Sequence, residues 1–392
     1  MRAPTDLIGR LRGGHERVVR LRSTQPRPWG RALLSYLSAP AAWSEGDRRL
    51  RGHTNKWESR EIAMTLCELG LDVDVIDFDD EVQDLPSRSY DVVLGIHSAL
   101  HRLAERTGAR TRLLHLTGSY PPFQNAAELR RLDELEERRG VRCEARRLVA
   151  DAAGFDQVLA DADACSLLGN EWTLSTFPQR FHAKITCVPV TGSQLTRVQT
   201  DGRVPREREF IWFFGAGAIH KGLDRALEAF SRNPGLVLNV VGNIGGEQDF
   251  VRAYRRELTE LPNIRWHGFV DPASRQFRRL ARRCFCVVAP TCSEAISAAT
   301  VTMLQLGLYP LISHESGVTL PTGAGRYLET CSVDEIEAAA ADLHSKDERG
   351  LATEMTIVQG VALEAYSRER FRSRIRAHLQ RALSGKDAGQ PS

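Results

Sequence analysis

Lysine is nearly missing from this 392-residue chain. It supplies five of the 53 basic residues: Lys56, Lys184, Lys221, Lys346 and Lys386. Arginine carries the rest, so a lysine kept beside glycines marks a position to inspect. An excess of either charge is missing too. The 53 basic and 50 acidic residues leave a formal charge of +3, which argues against a nucleic-acid binder, whose footprint is strongly basic. No apolar run approaches the ~18 residues that read as a membrane span. The N-terminal region has no apolar segment of the secretory kind, so no signal peptide is expected. Cysteine is sparse, with eight residues spread through apolar segments. Such a distribution points to buried thiols in a reducing, cytoplasmic compartment rather than a disulfide framework. Cys284 and Cys286 form a C-x-C inside CFCVVAP. They read as core thiols of a strand, because no second Cys/His pair stands nearby to complete a metal site.

What is present is alternation. Residues 1–29 form a basic arm broken by Gly13, Gly14, Pro26 and Pro28, read as flexible and offering a peripheral contact for anionic lipid. Residues 30–195 alternate short apolar runs with helical patterns. RALLSYLSA, VDVIDF, YDVVLGI, RLLHLT, ACSLLG and ITCVPV read as strands, and residues 54–69 as a helix capped by Thr54 or Asn55. Residues 196–208 are polar and read as a linker. Alternation restarts over 209–351, and residues 352–392 hold a last long helical pattern and a tail. This βαβα order predicts an α/β protein with two Rossmann-like, doubly wound domains. Ligands of such sheets bind where strands end at their carboxyl edge. Helix 125–147 alternates charges at three- and four-residue spacing, which reads as a solvated face with pairs inside the helix. The oligomeric state has no signature in the sequence.

Two loops of the second half carry the clearest chemistry. FFGAGAIHKG follows a strand and leads into a helix. Gly215 and Gly217 allow close backbone approach and positive φ, and Lys221 then stands where a helix start already favours an anion. A surface lysine after a tight turn fits the motif equally well. In PTCSEAISAAT, Glu294 precedes a helix or sits in its first turn, and the amides of Ala295, Ile296 and Ser297 would face a phosphate. Helix capping explains Glu294 alone just as well.

The order of pieces is more specific than either loop. A strand ending in glycine, KGLD (221–224), VVG (240–242), NIRWHGFV (263–270), PTCSE (290–294) and GLYPLISHESG (307–317) follow one another. This order resembles the donor half of GT-B fold glycosyltransferases, specifically retaining glycosyltransferase family 4, also called glycosyl transferases group 1. The first half is a looser match, through HTNKWESREIAMTLCELGLDVDVIDF. The resemblance implies that Lys221 binds the donor diphosphate beside the loop glycines Gly215, Gly217 and Gly242. Glu294 would meet the hydroxyls of the transferred sugar, and Phe269 would mark the nucleobase position. It also implies a C-terminal helix crossing back onto the first domain. Two departures stand out. The second glutamate of the family signature falls on Thr302, leaving a hydroxyl for the ribose. The basic residue usual a few positions before the lysine is absent.

Other candidates lie at strand ends of the first half. His53, Thr54 and Asn55 precede the first long helix, His97 follows YDVVLGI, and Thr117, Gly118 and Ser119 follow RLLHLT. These form the acceptor side, with His53 and His97 as further catalytic candidates by position. No Asp-x-Asp loop sits at a suitable strand end, so neither a metal nor a cofactor is expected. The function implied is a cytoplasmic enzyme that moves a hexose-type unit from a UDP- or GDP-sugar to a glycan or lipid-linked acceptor with retention, as in bacterial-type polysaccharide or glycoconjugate assembly. A nucleotide-sugar epimerase or phosphorylase, or a degenerate glycan- or partner-binding protein, would share these features.

Overall fold

Among the described residues of the first half, β-branched and leucine-rich runs form seven strands. They are β1 (Val18–Leu21), β2 (Gly30–Tyr36), β3 (Leu71–Asp77), β4 (Val92–Gly95), β5 (Thr111–Leu116), β6 (Ala164–Leu168) and β7 (Ile185–Val188). The computed structural model of the chain describes residues 18–79, 88–96, 100–193 and 203–384. The strands are parallel and ordered β1-β3-β2-β4-β5-β6-β7, except that β1 pairs antiparallel with β3. The sheet therefore starts inside the segment read as an arm: Val18–Leu21 is its edge strand, and Arg22 pairs with Asp72 at 2.8 Å. The remainder of the arm, 1–17, lies outside the described residues, as does part of the linker.

Helices cover both faces of this sheet. They are α1 (Arg49–Gly52), α2 (Thr54–Glu68), α3 (Leu100–Thr107), α4 (Pro121–Arg139), α5 (Phe155–Asp161) and α6 (Glu171–Ser175). Helix α2 starts at Thr54 itself. His53 takes the cap position in extended backbone, with no side-chain cap bond, so neither Thr54 nor Asn55 acts as the cap.

The second sheet is wholly parallel, ordered β10-β9-β8-β11-β12-β13. Its strands are β8 (Glu209–Phe213), β9 (Leu238–Val241), β10 (Ile264–Gly268), β11 (Cys284–Ala289), β12 (Tyr309–Ser313) and β13 (Arg326–Leu328). Its helices are α7 (Leu223–Arg232), α8 (Gln248–Ala253), α9 (Arg255–Thr259), α10 (Arg275–Ala281), α11 (Ala298–Gln305) and α12 (Val333–Ser345). Winding runs outward from β8 through β9 to β10, then restarts at β11 on the other side. The switch point lies between the carboxyl ends of β8 and β11, where open α/β sheets bind ligands. Cys284 and Cys286 are buried in β11 as expected, and no cluster of three or more potential metal ligands occurs among the described residues.

The C-terminal pattern is two helices rather than one. Helix α13 (Glu348–Ala365) packs on α11 and β12, while α14 (Arg368–Ser384) packs on α2, β6 and β7 of the first domain. Ser367 turns the chain between them and accepts the Arg370 amide at 3.1 Å. The crossing is anchored by Phe371, Ile375 and Leu379, all fully buried. Phe371 meets Trp57 edge-on, 5.5 Å between ring centroids. Among the described residues, no helix is long and apolar enough to cross a membrane.

Near this crossing, buried Glu58 of α2 accepts the Thr191 amide and hydroxyl, both at 3.0 Å. Burial pushes its carboxyl up to about 7, against the pull of those two bonds and of Arg368. A carboxyl raised on folding favours the native state fully below its unfolded value, and that contribution is lost as pH rises through the folded value. Glu58→Gln is therefore expected to raise Tm at pH 8 and to leave it unchanged at pH 4. Equal effects at both pH values would contradict this assignment.

Candidate functional site

The β8–α7 turn is built by two glycines. Gly217 has φ +93°, and a side-chain carbon there would lie 2.9 Å from Cγ of Arg147. Gly222 has φ +69° and lies so close to Pro290 that any side chain would strike its carbonyl oxygen at 2.2 Å. That close approach locks the β8 turn onto the β11 turn, and it brings Lys221 into contact with Glu294 as an ion pair. Gly215 has open space around it and no positive φ, so the backbone requirement expected there falls on Gly217 and Gly222 instead. Gly242 is a close-approach position beside Phe214 and Trp212, and its amide donates to the Gly268 carbonyl at 3.0 Å.

The amides of the turn are already engaged. Glu247 accepts those of Gly217 at 2.6 Å and Ala218 at 3.0 Å. Lys221 is nearly buried, and its backbone carbonyl accepts from Trp212 Nε1 at 3.0 Å. Burial, and next the charge of Arg147, push its ammonium well below the usual lysine range. His220 is buried behind it, with Nε2 at 2.6 Å from the Ser293 carbonyl and Nδ1 at 3.4 Å from Glu128. Burial is the largest influence on this imidazole and brings it down to about 4, against the pull of Glu128.

The β11 loop departs from expectation in a defined way. Helix α11 starts at Ala298, not near Glu294, and Ser297 is its cap, accepting the Thr300 amide at 3.3 Å. The Ser297 amide donates to the Ser316 carbonyl at 2.9 Å. Of the three amides expected to face a phosphate, that one is engaged elsewhere. Ala295 and Ile296 are buried beneath the 314–319 turn, and the leading residues of the helix, Ala298 and Ala299, are half-buried. Thr302 is also engaged. Its hydroxyl donates to the Ala298 carbonyl at 2.7 Å and accepts the Ser193 amide at 3.0 Å. It holds the inter-domain connection instead of facing the cleft. Thr302→Glu would push a larger, charged group into this packed position. We expect it to lower stability by about 1–3 kcal/mol without tightening nucleotide binding, as read by urea titration and calorimetry.

The first domain closes around these loops. The hydroxyls of Ser119 and Ser293 hydrogen-bond across the cleft, which places Ser119 at the donor-side loop, with Thr117 and Gly118 half-buried beside it. Thr173 Oγ1 donates to the Ala295 carbonyl at 2.7 Å, and Arg131 to the Pro290 carbonyl at 2.8 Å. Asn170 caps α6 and donates to the Gly317 carbonyl at 2.8 Å. The Gly52–His53 bend faces the β10 loop: a side-chain carbon at Gly52 would lie 4.0 Å from Asp271 Oδ1. Burial and Lys56 lower the His53 imidazole, against the pull of Asp271. Thr54 and Asn55 follow that bend at the start of α2, and Phe269, just after β10, is 62% exposed. His97 lies outside the described residues.

Helix α4 is the largest departure. Its arginines reach the second domain. Arg138 binds Asp224 at 2.7 Å and Glu228 at 3.3 Å, and Arg139 binds Glu257 at 3.0 Å while stacking on Tyr254 at 4.2 Å. Leu132, Leu135 and Cys143 join the second domain's core. Just beyond the helix, Arg146 binds Asp249 at 2.9 Å. The solvated face expected for 125–147 is a clasp between domains. Charge periodicity is the same for both cases, since it records helical spacing and not what lies opposite.

Comparison with known proteins places this arrangement. Residues 198–349 match the family described as glycosyl transferases group 1. By sequence, no curated protein matches the chain. Solved structures similar in fold include HepE from Anabaena in complex with UDP-glucose, 13% identical over 90% of this chain and 100% of that one, TM-score 0.59. Sucrose-phosphate synthase from Thermosynechococcus elongatus is 13% identical over 93% of this chain and 100% of its own, TM-score 0.58. A glycosyltransferase from Rickettsia africae is 12% identical over 90% and 98%, TM-score 0.55. At such identities the likeness is one of fold: two facing Rossmann-like domains, the GT-B fold.

Proposed function

We propose that the chain is a glycosyltransferase that moves a sugar from a nucleotide-diphosphate sugar, UDP- or GDP-linked, to a glycan or lipid-linked acceptor with retention. The carrying observation is the Lys221–Glu294 pair at the switch point of the second sheet. It lies within a segment that matches glycosyl transferases group 1. In this reading the donor's phosphates reach Lys221 and the start of α11, and Glu294 turns to accept hydrogen bonds from sugar hydroxyls. The bond between the anomeric carbon and the diphosphate oxygen breaks, and an acceptor hydroxyl attaches on the same face. The hydroxyl proton leaves on the diphosphate. Positive charge fixed beside the departing oxygen is what lowers this barrier. Acceptors would enter past Ser119, His53 and Asn55. The expected setting is cytoplasmic polysaccharide or glycoconjugate assembly, with peripheral contact to anionic membrane through the basic N-terminal segment, and no metal ion.

Thermal-shift screening with UDP-, GDP- and ADP-sugars, followed by NMR of the anomeric configuration in the product, tests this reading. Stabilisation by one nucleotide class with an anomer matching the donor supports it. An inverted product removes retention, and no stabilisation by any donor removes the function. The engaged hydroxyl of Thr302 favours a second reading, donor binding without transfer. That reading predicts stabilisation with no released nucleotide diphosphate.

A further inference from the structure

Lys221 is countered by Glu294, both ring nitrogens of His220 face the Ser293 carbonyl and Glu128, and the amides of Gly217 and Ala218 are occupied by Glu247. The glycine-rich turn therefore offers an incoming dianion little by itself. The missing charge comes from the other half of the chain. We propose that Arg147, carried on the segment after α4, is the second cation of this site and binds a diphosphate together with Lys221.

Three observations carry it. The backbone of Arg147 is fixed at both ends: its amide donates to Glu128 at 2.8 Å, and its carbonyl accepts from Gln124 at 2.6 Å. The neighbouring Arg146–Asp249 pair, with Glu144's amide on Asp249 at 2.7 Å, ties the same segment to the second domain. The stem of Arg147 then lies across the glycine turn, where only Gly217 leaves room for it. Finally, Nε of its guanidinium is buried with no hydrogen-bond partner. A buried, unsatisfied donor on a charged group is costly, so the arrangement suits a group completed by a ligand. Before Lys221 the turn carries no arginine or lysine, and its backbone forms the bed for an arginine from elsewhere. An arginine is also the better choice there, since its planar fork matches phosphate oxygens where a lysine offers a single point charge.

The diphosphate's being part of a nucleotide rests on the donor reading above, so the test uses two probes. Calorimetry would measure inorganic pyrophosphate and UDP binding to the full chain and to Arg147→Gln and Arg147→Lys. Loss of one charge-assisted contact predicts about tenfold to hundredfold weaker binding of both probes in Arg147→Gln. Arg147→Lys, which keeps the charge, should recover part of that loss, and it also serves if the glutamine variant does not fold. Pyrophosphate that binds wild type and Arg147→Gln alike, or that fails to bind wild type, overturns the two-cation site. Arg147-dependent pyrophosphate binding with no UDP binding keeps the site and overturns the nucleotide-donor reading.

Discussion

Lys221→Ala is expected to reduce turnover by at least about a hundredfold, the scale for removing one preorganised charge from a developing anion. The expectation follows from three properties of the position. The ammonium is nearly buried, so its field acts in a medium of low effective dielectric and is not diluted by water. It is held by a turn that cannot move, because Gly222 lies against Pro290. Its only close ion-pair partner among the described residues, Glu294, is the group proposed to turn toward the sugar when phosphate arrives. Lys221→Met keeps most of the stem and removes only the charge, so it separates electrostatics from packing. The two variants should lose activity alike, while only the alanine variant opens a cavity. If Lys221→Met turned over donor at the wild-type rate, the assignment of Lys221 as the phosphate cation would fall.

The few lysines differ in what they meet. Lys184 donates to three carbonyls at the end of α5, those of Leu159, Ala160 and Ala162. Lys346 pairs with Glu354, and Lys56 lies near the Trp43 ring. Among the described lysines, only Lys221 meets the opposite switch-point loop. The alternation of strands and helices and the two sheets were legible, because burial periodicity is a local property of sequence, whereas the crossing of α14 was implied by the family resemblance. Local sequence does not record what approaches from far along the chain. Arg147 and the Glu128 carboxylate behind His220 stand roughly seventy or more positions from the turn they serve, in a stretch whose charge pattern reads as any solvated helix although the helix ends at Arg139. The same limit applies to Glu247. Nothing near it in sequence marks it as the partner of amides on another loop. Thr302 shows the converse: an alignment with a family signature gives a position, but not the hydrogen bonds that the position has since acquired.

Asp224→Ala is expected to destabilise the fold by about 3–5 kcal/mol, the scale for leaving buried charge without its partner. Asp224 is fully buried in the first turn of α7 and binds Arg138 at 2.7 Å. Burial raises its carboxyl, while Arg131, Arg138 and Arg225 together pull it down. One carboxylate thus sits among three guanidiniums where the domains meet, and removing it leaves three like charges around an apolar methyl, with Arg138 still on Glu228 and Arg225 still on Glu134. The arginine bias acquires a partial use here. The clasp runs through Arg131, Arg138, Arg139 and Arg146, and the forks of Arg138 and Arg139 make paired or stacked contacts that a lysine could not reproduce. Urea titration should show a lower midpoint for Asp224→Ala. A double-mutant cycle with Arg138→Ala should give a coupling energy within the 0.5–3 kcal/mol typical of contacting residues, toward the upper end. Such coupling is the specific signature, because a simple packing defect in α7 would be additive with a change on α4. An additive cycle, or a midpoint that does not move, would mean that the apolar contacts of Leu132, Leu135 and Cys143 hold the domains together and that the charges merely accompany them.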